Sequence, residues 1–438
     1  MSKLVDEVRF TQELIKKPSV TPKDVGAMNV VVRHLKKLGF KCKLMSFQEK
    51  GTEKIINLYA KYGEQSPNLC FAGHTDVVPA GDLPSWSTNP FGAKIKKGYL
   101  YGRGVSDMKG GIGCFISAVS QFLKDNKKFK GSISFLITGD EEGIAVNGTK
   151  KVVEYLKKKK EKIDFCIVGE PSNRSKLGQM IKIGRRGSIT THLTVKGKQG
   201  HIAYPHEALN PATPIIKILN DLKSKPLDNG NKNFQPSNLE ITKIYIDNTA
   251  DNIIPAKACA TFNIRYNNLH TFNSLKKYIS SIIKKSEKKY KCKTETTFVG
   301  TGTAFLTKPN QTVKTIQKII QKETAQKTVL STTGGTSDAR FIKDIAPCIE
   351  FGLVGNTMHQ VDERSSIKDL KKLKSIYLKI IQKFSLVGVA SVNPIGIINI
   401  IASVQGIVVP LFIIMTWVFH WSCEVLIRGQ QLIYQTGC

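Results

Sequence analysis

The run Ser132-Ile133-Ser134-Phe135-Leu136-Ile137-Thr138-Gly139-Asp140-Glu141-Glu142 decides the fold. Its first half carries apolar and β-branched side chains on both faces, as in a strand covered on both sides. A glycine and three carboxylates follow at once. Leu69 to Ala72 and Asp164 to Val168 read as sister strands, while Gly110 to Leu123 and Thr149 to Lys159 read as helices between them. This alternation predicts an α/β fold with a central, mostly parallel sheet. Upstream, Thr21-Pro22-Lys23-Asp24 reads as an N-cap, a proline at the first helical position and an acid in the first turn. The helix it predicts presents Met28, Val31, Val32 and Leu35 on one face and stops at Gly39.

From about Gly187 the pattern changes. Ser188 to Val195, Asn238 to Ile246 and Ala258 to Tyr266 read as strands, Asn210 to Leu222 and Leu275 to Tyr290 as helices. Such a run predicts a small α+β, ferredoxin-like domain inserted into the larger one. The α/β pattern resumes with a helix at Thr312 to Thr324, a strand at Pro347 to Phe351 and a helix at Ile367 to Phe384. The expected division is therefore 1–186 and 300–384 for the large domain, 187–299 for the insert and 385–438 for a C-terminal extension.

Three of the large domain's predicted strands end on chemistry. Gly73-His74-Thr75-Asp76 follows the first, Asp140-Glu141-Glu142 the second and Gly169-Glu170-Pro171 the third. Ser106-Asp107-Met108-Lys109-Gly110-Gly111 and Met358-His359 lie in neighbouring loops. Ligands of open α/β sheets collect outside the carboxyl ends of the strands. Two imidazoles with a surplus of carboxylates suit a pair of divalent cations, which points to a metal-dependent hydrolase.

Composition narrows the other classes. The chain has 438 residues, 41% hydrophobic and 23% charged, ordinary for a globular protein with a sizeable core. Nine cysteines are scattered without a C-x-x-C pair, which reads as reduced thiols and core fillers in a cytosol-like compartment. Met1 to Phe10 is charged and offers no cleavable signal. The formal charge of +32 invites a nucleic-acid reading, but its lysines are spread over helix faces with few aromatics beside them. A lysine-rich solvated surface that attracts anionic substrates fits better. From Ser385 to Cys423 no Asp, Glu, Lys or Arg occurs, and Ile395 to Trp421 is long enough to span a bilayer. A membrane anchor, with Lys368 to Lys383 on the cytoplasmic side, and an adventitious tail are the two readings of this extension.

The motifs as they stand also carry a resemblance. Gly73-His74-Thr75-Asp76-Val77-Val78-Pro79, Gly102-Arg103-Gly104-Val105-Ser106-Asp107-Met108-Lys109-Gly110-Gly111, Gly139-Asp140-Glu141-Glu142 and Gly169-Glu170-Pro171 resemble those of the zinc aminoacylase and carboxypeptidase family, from about residue 3 to Phe384. Gly184 to Ser188, Gln199 to His206 and Thr333 to Phe341 narrow the likeness to members acting on succinylated diamino diacids. The resemblance implies two Zn2+ per subunit, with Co2+ an alternative in the second site. His74, Asp107 and Glu170 would hold one, and Asp107, Glu142 and His359 the other, with Asp107 bridging. It implies Glu141 as the base that takes a proton from water and returns it to the departing amine, with Asp76 orienting His74. It implies His201, from the partner subunit of a homodimer, as donor to the oxyanion. Arg185, Ser188, Tyr204, Asn252, Arg265, Gly335 and Thr336 would bind substrate, while His206 reads as structural. The implied reaction is hydrolysis of N-succinyl-LL-2,6-diaminopimelate to succinate and LL-2,6-diaminopimelate, on the route to lysine and cell-wall precursors. An acetylornithine deacetylase, a dipeptidase and a non-catalytic membrane-attached binding protein are the alternatives.

Overall fold

The computed structural model describes residues 4–248, 250–300 and 302–390. The chain falls into two compact units, Met1–Phe384 and Ser385–Cys438, and the first holds all the described sheets. Helix α1 (Glu7–Ile15) opens on Asp6, whose side chain accepts from the Arg9 amide at 2.8 Å. Helix α2 (Ala27–Lys37) starts later than Thr21-Pro22-Lys23-Asp24 predicts. Gly26, at φ +84°, is its N-cap. Asp24 still supplies the carboxylate, accepting from the amides of Gly26 at 3.0 Å and Met28 at 2.9 Å. Thr21 and Pro22, the predicted N-cap and first helical residue, thus lie outside the helix, and a left-handed glycine sets where it begins.

In chain order there follow β1 (Lys41–Phe47), β2 (Ile55–Tyr62), β3 (Asn68–His74), α3 (Gly110–Asp125), β4 (Ser132–Thr138), α4 (Thr149–Lys158), β5 (Phe165–Val168) and β6 (Met180–Lys182). Next come β7 (Gly187–Lys196), α5 (Ala212–Lys223), β8 (Asn238–Tyr245), β9 (Lys257–Tyr266), α6 (Phe272–Tyr290) and β10 (Lys293–Gly300). Further along lie α7 (Gln311–Thr324), β11 (Val329–Ser331), α8 (Ala339–Ile342), β12 (Cys348–Glu350) and α9 (Ile367–Ala390).

Eight strands form the large sheet in the order β1-β2-β4-β3-β5-β12-β6-β11. β4, β3, β5 and β12 run parallel, while β1 and β2 add an antiparallel edge that the sequence reading did not foresee. Every residue of β3, β4 and β5 is buried, as expected for a sheet covered on both faces. Alternation along β3 shows the two layers directly. Leu69 and Phe71 face a core shared with Phe10, Phe115 and Tyr377 of α1, α3 and α9. Cys70 and Ala72 face a second core with Val152 and Leu156 of α4 and Ile342 of α8. Cys166 and Cys348 sit in register beside Cys70 on that second face, as small core fillers.

β7 to β10 build a separate four-stranded antiparallel sheet, ordered β8-β9-β7-β10. Its core joins Ile189, Leu193 and Phe262 to Ile215 of α5 and Ile279 of α6. Among the described residues no helix is long and apolar enough to cross a membrane. Helix α9 continues past Phe384 to Ala390, and the predicted spanning stretch, Ile395 to Trp421, lies outside the described residues.

Candidate metal centre

Register explains how distant segments meet. His74 pairs with Thr138 and Ala72 with Val168, so the parallel strands β4, β3 and β5 end at one level. Their exits deliver Glu141 and Glu142, His74 and Asp76, and Glu170 to the same rim. β12 lies beside β5, with Glu350 opposite Val168, and the chain leaving it reaches His359. The loop carrying Asp107 precedes α3, and the Asp107–Met108 peptide bond is cis.

The five residues expected to bind metal converge here. His74 Nε2 lies 3.2 Å from Asp107 Oδ1 and 3.8 Å from Glu170 Oε1. His359 Nε2 lies 3.3 Å from Asp107 Oδ2 and 2.8 Å from Glu142 Oε1. Asp107 thus turns one oxygen to each imidazole, the arrangement of a carboxylate shared between two cations. Ligand atoms about 2 Å from a tetrahedral cation stand roughly 3.3 Å apart, and these separations bracket that value. Glu141 also lies within the cluster, grouped with His74 and Glu170.

The electrostatics support the same fit. Burial and the nearby carboxylates of Asp338, Glu142 and Asp107 push Glu141 well above the usual carboxylate range. Burial, Asp107 and Glu141 do the same to Glu170, whose Oε1 is buried without a hydrogen-bond partner. Burial would raise Asp107 too, but the imidazoles of His359 and His74 outweigh it and hold it low. Hydrogen bonds donated to the carboxylates of Asp107 and Glu142 raise His359 to about 10. Burial opposes protonation of His74, yet Asp107, Asp76, Glu170 and Glu141 hold it well above its ordinary value. Crowded acids and an orphaned carboxylate oxygen are what divalent cations would relieve, displacing the imidazole protons.

Supporting residues are arranged around the rim. The Nδ1 of His74 faces the backbone oxygen of Asp76 at 2.9 Å, with the Asp76 carboxylate at 3.6 Å. That carboxylate instead accepts from the amides of Glu141 at 3.3 Å and Glu142 at 3.0 Å. Asp76 therefore sets the imidazole through its main chain and the acidic turn through its side chain. Glu363, which sequence reasoning missed, accepts from the Gly104 and Ser106 amides, the Ser106 hydroxyl and the Asp107 amide. It thereby holds the loop that presents Asp107.

A cavity of about 490 Å³ opens on the cluster, lined also by Gly335 and Thr336 and by Arg174, Lys182 and Arg185. Arg265 donates to the Thr336 hydroxyl at 3.0 Å. Ser188 is buried and accepts from Asn263 at 2.9 Å, away from the cavity lining. His201, Tyr204 and Asn252 share an exposed ribbon and loop outside that lining. His201 Nδ1 accepts from the Ala203 amide at 3.0 Å. Lys182 and Glu350 were also not singled out, although Ile181-Lys182-Ile183 and Ile349-Glu350-Phe351 each set a charge inside an apolar run, where it needs a partner.

The chain is similar to the succinyl-diaminopimelate desuccinylase of Pelagibacter ubique, 58% identical over 379 residues, covering 86% of this chain and 99% of the relative. The protein of the same name from Rhodospirillum centenum is 50% identical, covering 86% and 97%. Among solved structures, the M20 family metallo-carboxypeptidase Sso-CP2 of Sulfolobus solfataricus matches with a TM-score of 0.68 at 20% identity, covering 87% and 99%. The Bacillus subtilis protein YXEP, described as a dinuclear metal-binding peptidase of the M20 family, matches at 0.60 and 14%, covering 86% and 97%. The sequence profile of peptidase family M20/M25/M40 matches residues 70–383, and with these relatives it establishes that the chain belongs to that family.

Proposed function

We propose that this chain is a dinuclear zinc amidohydrolase that cleaves N-succinyl-LL-2,6-diaminopimelate to succinate and LL-2,6-diaminopimelate. The observation that carries the reading is Asp107, with its two oxygens turned to His74 and His359, in a chain 58% identical to a desuccinylase over 99% of that relative. Imidazole and carboxylate ligands together suit zinc, with Co2+ an alternative in the second position. His74, Asp107 and Glu170 are assigned to one ion and Asp107, Glu142 and His359 to the other. A divalent pair supplies Lewis-acid polarisation of the scissile carbonyl and a water of lowered pKa.

The remaining steps fall to the chain's own groups. Glu141 stands in the cluster without a ligand assignment, so it takes the proton of the attacking water and passes it to the departing amine. Asp76 fixes the Glu141-Glu142 turn from below. The carbonyl oxygen that gains charge needs a donor, and His201 of the partner subunit is assigned to it. Its exposure, with that of Tyr204 and Asn252, supports delivery across a homodimer interface. The proposed domains are 1–186 with 300–384, and 187–299, the part that holds the antiparallel sheet. Free thiols at seven described cysteines support a reducing, cytoplasmic setting.

Metal analysis coupled to a substrate panel tests the proposal. Two zinc ions per subunit are expected, with N-succinyl-LL-2,6-diaminopimelate preferred over N-acetylornithine and dipeptides by at least about 100-fold in kcat/KM. Preference for either competitor overturns the assignment of substrate.

A further inference from the structure

Three cations share the cavity with the acidic cluster, and they are not equivalent. Arg185 is already engaged. Its Nε donates to Glu350 Oε1 at 2.8 Å, its Nη2 to Glu350 Oε2, and its Nη1 to the Thr333 carbonyl at 3.1 Å. Glu350 also accepts from the Ser337 hydroxyl, so this carboxylate and this guanidinium neutralise each other inside the wall. Gly334, at φ +102°, lies so close that a Cβ there would stand 2.5 Å from Arg185 Nη1. Arg185 thus clamps the 333–336 loop against the cavity.

Lys182 is in the opposite situation. Its side chain sits in the same wall, with 6% of the residue exposed. The ammonium donates to the Thr333 hydroxyl at 2.7 Å and to the Ser331 hydroxyl at 3.4 Å, both neutral. Among the described residues it forms no ion pair, and one of its three N–H groups is left without an acceptor. Arg174, exposed at the same cavity, likewise has no ion pair among the described residues. Glu350 offsets one of these three positive charges, which leaves two facing the lumen. A buried ammonium held only by hydroxyls is costly unless an anion completes it.

We infer that Lys182, assisted by Arg174, binds a free carboxylate of the acylated diacid substrate, while Arg185, paired with Glu350, positions the 333–336 loop. The inference rests on the amide-hydrolase reading above and assigns Arg185 a positioning rather than a direct carboxylate-binding part. The alternative is that Lys182 only braces Thr333.

Matched substrates separate the two. The zinc-loaded full chain is assayed on N-succinyl-LL-2,6-diaminopimelate and on analogues in which one carboxylate at a time is a carboxamide. One carboxamide should lose roughly 10- to 100-fold in kcat/KM with the wild type, the worth of a charge-assisted hydrogen bond. Lys182→Gln should lose a similar factor on the parent and under threefold more on that same carboxamide. Arg174→Gln, at an exposed site, should repeat the pattern at smaller amplitude. Equal losses on the parent and on every carboxamide, in both variants, would overturn the inference. If the wild type ignores the succinyl compound but hydrolyses N-acetyl amino acids, the substrate assignment fails, and the same comparison on an N-acetyl amino acid and its α-carboxamide still decides for or against the subsite.

Discussion

Arg103 and Glu363 form a 2.8 Å ion pair in which neither side chain is more than 2% exposed, and Glu363 spends its remaining lone pairs on the backbone behind Asp107. A buried charge pair of this kind stabilises little in net terms, because both ions lose their hydration. Its effect is directional: five donors fix one carboxylate, and that carboxylate fixes the turn from Gly104 to Asp107.

Replacing Glu363 by Ala strands Arg103 in the interior. Denaturant unfolding is expected to show a loss of about 3–5 kcal/mol. Chelator competition on Glu363→Gln, which keeps the shape, is expected to show metal affinity down about 10- to 100-fold. Unchanged affinity in the Gln variant would mean that the Asp107 turn holds itself.

Glu141→Gln removes the proposed base and leaves the five assigned ligands in place. Metal content should remain at the wild-type value while kcat falls by about 10²- to 10⁴-fold. Full activity in this variant would remove Glu141 from the mechanism.

The titration of Lys182 gives a pH dependence. Burial, Arg185 and Arg174 depress it to about 8, with Glu350 pulling the other way. Its cation is present below that value and is lost as pH rises through it. KM for the anionic substrate is therefore expected to climb above pH 8, whereas the carboxamide lacking the contacted carboxylate should show no such limb. A profile with equal limbs for both substrates counts against the assignment.

Delivery of His201 across a dimer can be tested by complementation. Glu141→Gln and His201→Ala chains are each expected to be nearly inactive, the latter by about 10²- to 10³-fold. Mixed and reassembled, they form heterodimers with one site holding both an intact Glu141 and an intact His201, so activity should return. No recovery would place His201 in its own subunit's site or outside catalysis.

Much of this was readable from the chain because the parallel strands announce themselves. β4 spans the predicted Ser132 to Thr138, and Asp107, Glu141, Glu142, Glu170 and His359 line one cavity with His74 buried against them. Apart from the apolar β2, what escaped was polar on its surface or defined by distant partners. β1 sets Lys41 and Lys43 toward solvent at a sheet edge, and β10 alternates Lys293, Thr294, Glu295 and Thr296, so neither looks apolar enough for a strand. Glu363 looks like any charged loop residue until folding brings it to Ser106, across 257 residues of sequence. Its role is a fact of burial, which local sequence does not encode.

The position of β12 carries a consequence for biosynthesis. It is the last strand of the large sheet in the chain, yet it is seated between β5 and β6. Until the ribosome has released residues 348–350, the two flanks of that sheet have nothing to join them, and His359 follows later still. A nascent polypeptide can display four of the five prospective ligands while its catalytic hollow is still unfinished. Completion of the proposed second metal position thus waits for this part of the chain, and a message cut short before it yields a product with an open seam.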